Sequence, residues 1–425
     1  MALPDRSAAQ ARSGSLGPAR RRYPPRTVDA PPPRFARLVL ITRSGEVLGA
    51  RPPFPVATAW WPDAASVVQG ARRHLGLDVT VLRLLEVEGR PPAGGTVTYL
   101  AEVPEPVDAE PWPGTLDEQP QRHPWARPGG PAADLAWADA VLAERGLRRI
   151  APAEQVRTWN LSALWRLPVD DGVAWLKVVP PFFAHEGALL ERLQGAPVPA
   201  LLGHEGGRML MLEIPGEDLY GAELPSLERM VILLVRLQAS WIGRVEELLA
   251  IGLPDWRADG LGAAIADVVA RTADELPAED RSTLDPFVDG LPDRFRRLAE
   301  AGLPDTLVHG DFHPGNLRGD ATSLVLLDWG DSGVGHPLLD QAAFLDRTGP
   351  DAVEPLSALW RREWLAAVPG SDPDRAATLL APVAAARQAH IYRKFLDNIE
   401  PSEHPYHAAD PADWLRRAAE LARDG

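Results

Sequence analysis

The residues best suited to chemistry lie in Leu307-Val-His-Gly-Asp-Phe-His-Pro-Gly-Asn316, followed twelve positions later by Asp328 at the end of the apolar run Ser323-Leu-Val-Leu-Leu-Asp328. The spacing His-x-Asp-x-x-x-x-Asn, then a strand ending in an acid, supplies one carboxylate beside a nucleophile and two oxygen ligands for Mg²⁺ on a nucleotide's phosphates. Asp311 is the candidate base, because phosphoryl transfer needs little covalent help and a carboxylate can orient the acceptor hydroxyl and take its proton late. Asn316 offers a neutral carbonyl oxygen and Asp328 a charged one, and hard oxygens are what Mg²⁺ prefers. Pro314-Gly315 turns the chain so that Asn316 comes back toward the metal. His309, Asp311 and His313, at alternate positions, also suit zinc or a nonheme metal, but that alternative leaves Asp328 without a task.

The elements that must position these groups are legible as periodicities. Of the 44 basic residues only Lys177 and Lys394 are lysines. Lys177 sits inside the apolar β-type run Val173-Ala-Trp-Leu-Lys-Val-Val179, where a charge is costly unless paired. A chain so rich in arginine places lysine where a compact ammonium matters, so Lys177 is expected to function and Lys394 to be a solvated surface charge. Residues 132–144 read as an amphipathic helix closed by Gly146, strands follow to Val179, and Asp170-Asp-Gly172 makes a hairpin of two of them. His185 to Leu193 reads as helix and Met209-Leu-Met-Leu-Glu213 as a strand stopped by Pro215-Gly216. From Leu227 the pattern is mostly helical, so a β-rich lobe precedes a helical lobe.

Composition bounds the rest. A chain of 425 residues implies two or three folding units. No apolar run of about eighteen residues is present, and Arg20, Arg21 and Arg22 lead into no apolar block, so a soluble, cytoplasmic protein with no membrane partner is expected. Cysteine is absent, which removes disulfides and thiolate chemistry. A net charge of −15 argues against nucleic acid as a partner. The oligomeric state is not readable.

With the His-Gly-Asp-Phe-His-Pro-Gly-Asn and Leu-Leu-Asp-Trp-Gly-Asp segments on the page, and Lys177 and Met-Leu-Glu-Ile-Pro-Gly correctly ordered upstream, residues 132–425 resemble the aminoglycoside phosphotransferase and choline kinase family. The resemblance implies an α+β, bilobal protein-kinase-like fold with an N-lobe over 132–214 and a helical C-lobe over 215–425. It implies ATP and Mg²⁺ as cofactors and a small-molecule hydroxyl acceptor: an aminoglycoside, an amino alcohol or a sugar. Lys177 then corresponds to the family's phosphate-contacting lysine and Glu186 to the carboxylate that orients it, with Glu191 a competitor for that role. Leu212, Glu213 and Ile214 fall where the interlobe hinge presents backbone groups to adenine. His309 reads as a buried residue holding the catalytic loop, and Asp340 as an acceptor for that loop's backbone. No glycine-rich phosphate loop precedes Lys177; Asn160 and Ser162, in the corresponding turn, are expected to supply polar contacts instead. Asp397, Glu400 and Glu403 form either a pocket for an aminated substrate or a solvated acidic face. The other class of function left open is a catalytically inactive, kinase-fold binding or regulatory protein.

The remaining chain divides into a basic, proline-rich tail over 1–33 expected to be disordered, a small α/β domain over 34–104, and a linker over 105–131. The strand, helix, strand order and the helix ending Leu75-Gly-Leu77 faintly resemble a Nudix domain. That family's box needs acids where Gln69, Gly70, Arg73 and His74 stand, so the resemblance implies a degenerate domain used for packing or substrate recognition; a generic small α/β domain is the alternative.

Overall fold

The computed structural model describes residues 32–89, 93–320 and 322–424. Most of the tail expected over 1–33, residues 1–31, lies outside them. Among the described residues no helix is long and apolar enough to cross a membrane.

Four strands, β1 (Arg34–Thr42), β2 (Val47–Pro55), β3 (Thr80–Glu88) and β4 (Gly95–Val103), form the N-terminal sheet in the order β2-β1-β4-β3, with β1 and β4 parallel. Helix α1 (Ala64–Leu75) starts at an Asp63 cap whose carboxylate accepts from Ser66 N at 2.8 Å, and ends at Gly76, whose φ of 66° suits a residue with no Cβ. Its apolar face, with Trp61 and Val67, covers Leu38, Leu40 and Tyr99. The other face of the sheet carries Val39, Ile41, Leu82 and Leu100. The segment 105–131, expected as a linker, lays Trp112 and Leu116 over that face, because strands with apolar residues on both faces must be covered twice.

The N-lobe begins with α2 (Gly130–Glu144) and continues as β5 (Glu154–Trp159), β6 (Ser162–Val169) and β7 (Gly172–Val178). Helix α3 (His185–Arg192), β8 (Leu201–Glu205) and β9 (Arg208–Leu212) complete it, in the antiparallel order β5-β6-β7-β9-β8. Alternation along β7 buries Ala174, Leu176 and Val178 under α2, which turns Trp175 and Lys177 to the opposite face, toward the C-lobe.

The C-lobe is helical and holds the largest core, built around the helices Leu224–Ala239, Pro350–Ala367 and Pro373–Asn398. Two short strand pairs interrupt it. Thr306–Val308 pairs with Gly333–Gly335, and Leu317–Gly319 with Leu324–Leu326, so the segments carrying Asp311 and Asp328 each follow a strand end.

The N-terminal domain is joined to both lobes by side chains that substitute for strand partners. Gln155 Oε1 accepts from Val81 N at 2.8 Å and its Nε2 donates to Val81 O at 2.7 Å, satisfying the edge of β3. Glu403 Oε1 accepts from Leu84 N at 3.1 Å, and Tyr406 enters the N-terminal core edge-on to Trp61. Glu400 takes Arg122 at 3.0 Å and Arg83 at 3.5 Å, all three buried. Glu400 and Glu403 are therefore neither a substrate pocket nor a solvated face: Glu400 is 6% and Glu403 3% exposed, both inside a domain junction. Asp397 is bound by Arg271. Lys394 is half-buried with its ammonium over the Phe182 ring, not a solvated surface charge.

Candidate active site

Lys177 Nζ lies 2.7 Å from Glu186 Oε1 and 2.7 Å from Asp328 Oδ1, so one ammonium bridges the N-lobe helix and the C-lobe strand end. Burial works against the ammonium, but the two carboxylates outweigh it and hold Lys177 charged, above the usual lysine range. Glu186 is 1% exposed, and its carboxylate also accepts from Trp329 N at 3.1 Å, tying α3 to the residue after Asp328. Glu191, the competitor, is exposed and faces His204 at 3.6 Å instead.

Asp328 has φ 66° and is the only non-glycine residue at positive φ among the described residues. A left-handed backbone costs about 1–2 kcal/mol for a residue with a Cβ, and such strain persists where the surroundings impose it. Here Leu327 N donates to Asn316 O at 2.9 Å and Trp329 N to Glu186, which fixes the peptides on both sides.

The loop that carries Asp311 is held from beneath. Asp340, fully buried, accepts from His309 N at 2.8 Å, Gly310 N at 2.7 Å and Gln238 Nε2 at 2.9 Å. His309 Nε2 lies 3.0 Å from Leu327 O and its Nδ1 accepts from Asp311 N at 3.3 Å, so both ring nitrogens are occupied. Burial drives its pKa down to about 4, which keeps it neutral. Gly310, at φ 86°, leaves no room for a Cβ, which would come within 2.0 Å of Asp331 O. The buried Arg387 spans the same gap, donating to Gly310 O at 3.2 Å and Asp331 O at 3.0 Å.

Asp311 and Asn316 are brought together: Asn316 Nδ2 donates to Asp311 O at 2.9 Å and to Asp311 Oδ2 at 3.2 Å. That use of the amide nitrogen leaves the Asn316 carbonyl oxygen outside those two bonds, and that oxygen and the Asp328 carboxylate are hard donors of the kind Mg²⁺ prefers. The zinc alternative does not fit. His309 is consumed by the backbone, His313 Nδ1 accepts from Gly315 N at 3.0 Å, and no cluster of three or more such ligands exists among the described residues.

The other oxygen of Asp311 meets a residue that sequence reasoning missed. Arg347 Nη2 lies 3.1 Å from Asp311 Oδ1, and its side chain is only 9% exposed. Burial raises the Asp311 pKa, but His313 and the Arg347 guanidinium outweigh it and hold the carboxyl below the usual range. No local signal marks Arg347, one arginine among many. Arg387 was equally invisible.

Two expected contacts are spent elsewhere. Asn160 Oδ1 is 3.1 Å from His407 Nε2 and its Nδ2 donates to Glu403 O at 3.4 Å, while Ser162 Oγ accepts from Trp159 Nε1 at 3.0 Å. Asn160, at the β5–β6 hairpin tip, therefore faces the C-terminal segment, and Ser162 is bonded within the hairpin. At the hinge, Leu212 N donates to Ala200 O at 2.9 Å, Glu213 N to Val173 O at 3.0 Å, and Ile214 O accepts from Arg318 Nε at 2.9 Å.

Comparison with known proteins shows the family to which the chain belongs. No curated protein matches the sequence. A structure of a candidate aminoglycoside phosphotransferase from Ralstonia eutropha superposes with a TM-score of 0.50 at 15% identity, covering 69% of this chain and 98% of that one. A macrolide 2′-phosphotransferase from Brachybacterium faecium gives 0.47 at 17%, covering 64% and 96%. A choline/ethanolamine kinase family protein from Mesorhizobium loti gives 0.44 at 17%, covering 69% and 100%. At such identities the first likeness is one of fold. The family model described as the phosphotransferase enzyme family matches residues 155–379, more than half of the chain and the span that holds Lys177, Asp311 and Asp328. The chain belongs to the phosphotransferase enzyme family.

Proposed function

We propose that the protein transfers the γ-phosphate of ATP to a hydroxyl of a small molecule. The observation that carries this reading is the bridge from Lys177 to Glu186 and Asp328 at 2.7 Å, which joins groups up to 151 residues apart in sequence at one point of the cleft. Lys177 contacts the nucleotide's phosphates and Glu186 keeps it aimed. Asn316 and Asp328 hold Mg²⁺, which neutralises charge on the phosphates when bound. Asp311 orients the acceptor hydroxyl and accepts its proton late in the transfer. With Leu212 N, Glu213 N and Ile214 O already bonded, the base contact falls to the Glu213 carbonyl and the Ile214 N–H. The N-terminal domain serves by packing: it braces β5 and the C-terminal segment.

A second reading, a kinase-fold binding protein without turnover, is favoured by two contacts, Arg347 on Asp311 and the engagement of Asn160 by His407. Purified protein with MgATP and a panel of aminoglycosides, amino alcohols, sugars and sugar acids separates the two. Acceptor-dependent ADP release supports the phosphotransferase; nucleotide binding without release on any acceptor supports the second reading.

A further inference from the structure

We infer that Arg347 reads the charge of the acceptor, and that the compound phosphorylated here carries an oxyanion, carboxylate or phosphate, close to the reacting hydroxyl. The inference rests on the phosphotransferase reading and narrows its substrate class.

Arg347 lies two residues beyond the helix Leu339–Leu345, with one nitrogen on Asp311 Oδ1 at 3.1 Å and the other, Nη1, on Ala343 O at 3.1 Å. Its Nε is buried and has no hydrogen-bond partner among the described residues. A guanidinium has five N–H donors in a rigid fork, so these two bonds leave donors over beside the candidate base. An oxyanion near the acceptor hydroxyl would take them in the paired geometry that guanidinium offers, while the hydroxyl meets Asp311.

The opposite charge fits poorly. An ammonium about 4 Å from the guanidinium would cost about 4 kcal/mol at the effective dielectric of a protein surface, and Asp311, already paired, has little attraction left to offset it. The acids of the C-terminal segment that the sequence offered for an amine are committed elsewhere. Asp397 is held by Arg271, Glu400 by Arg122 and Arg83, and Glu403 by Leu84 N. Of the nearer acids, Asp410 faces His407 at 3.6 Å, and Asp346, beside Arg347, feels Arg417 and Arg347 together.

A mere counter-ion for Asp311 would affect all acceptors alike, which gives the test. ADP release is measured with glycerate, gluconate, glucuronate and glucose 6-phosphate, against glycerol and glucose, and against ethanolamine, glucosamine and kanamycin, for wild type, Arg347→Met and Arg347→Lys. Wild type should prefer the carboxylate or phosphate members by about tenfold or more in kcat/KM over their neutral counterparts. Arg347→Met should raise KM for those anionic acceptors by about tenfold with a smaller change for neutral ones, and Arg347→Lys should recover part of the loss. Turnover confined to neutral or cationic acceptors, no turnover of any anionic one, or an equal loss on every acceptor in Arg347→Met overturns the inference. Retained MgADP binding in Arg347→Met shows that the variant is folded. Failure of wild type to bind MgATP overturns the phosphotransferase reading itself, whereas binding with the wrong charge preference overturns only this inference.

Discussion

His407 Nε2 lies 3.1 Å from Asn160 Oδ1, joining the tip of the β5–β6 hairpin to a segment 247 residues later in the chain. Trp159 and Tyr392 flank His407, so the contact is buried among rings. In the proposed phosphotransferase reading this hairpin lies over the nucleotide's phosphates, and the His407 contact fixes its tip to the C-terminal segment. Asn160→Ala should free the hairpin tip and leave His407 Nε2 without its partner, at a cost of about 1–3 kcal/mol read from the denaturant midpoint. Steady-state kinetics should show KM for MgATP rising more than KM for the acceptor; an unchanged MgATP KM would disconnect the hairpin from the nucleotide.

Removing Lys177 should do two separable things. With 13% exposure at Lys177 and 2% at the Glu186 side chain, Lys177→Met strands a buried carboxylate, a loss of about 3–5 kcal/mol in unfolding free energy. Adding Glu186→Gln removes the stranded charge and should restore much of the stability without restoring ADP release. Equal stabilities in the single and double variants would show that Glu186 does not depend on the lysine.

The junction of the N-terminal domain should respond to alkali. Burial, then the neighbouring charge of Glu400, pushes the Glu403 carboxyl up to about 8, and its Oε2 is buried with no acceptor or donor opposite it. Between the ordinary glutamate value and about 8, the folded protein keeps a proton at Glu403 that the unfolded chain has released. Stability is therefore highest below that window and falls as pH rises through it. Thermal melts at pH 6, inside that window, and at pH 9, above it, should show a larger drop in Tm for wild type than for Glu403→Gln, which carries no charge at either pH. Parallel drops in the two proteins would contradict the assignment.

What the sequence revealed and what it hid follow from the range of the interactions. Asp311, Asn316 and Asp328 are legible because one loop and the next strand fix their spacing, and Lys177 because a lysine in an arginine-rich chain stands out on an apolar strand. The end of helix α1 was readable, since the Gly76 stop is local chemistry. Arg347 and Arg387 were not, because each matters only through contacts made 36 and 77 residues away. Glu400 and Glu403 were misread for the same reason: an acid a few residues past a helix end carries no mark of the arginines and backbone N–H that the N-terminal domain brings to it. Asn160 and Ser162 lie in the expected turn, yet what their side chains bond to was decided by the C-terminal segment and by Trp159.

Metal dependence should report on Asp328. Asn tolerates the left-handed backbone at φ 66° about as well as Asp does, so Asp328→Asn should fold. It loses one of the negative oxygens that a divalent cation needs. The Mg²⁺ concentration for half-maximal ADP release should rise by about tenfold or more, with a Tm within a few degrees of wild type. An unchanged Mg²⁺ requirement would remove Asp328 from the metal site.

The most direct test of the central claim is single-turnover transfer of labelled γ-phosphate from MgATP to an acceptor that supports ADP release, in wild type and in Asp311→Asn. Asn keeps the size of the side chain and an oxygen for Arg347 while losing the basic carboxylate, so nucleotide affinity should stay within about twofold and the transfer rate should fall by about 10²–10⁴-fold. Transfer by Asp311→Asn at the wild-type rate would contradict the account.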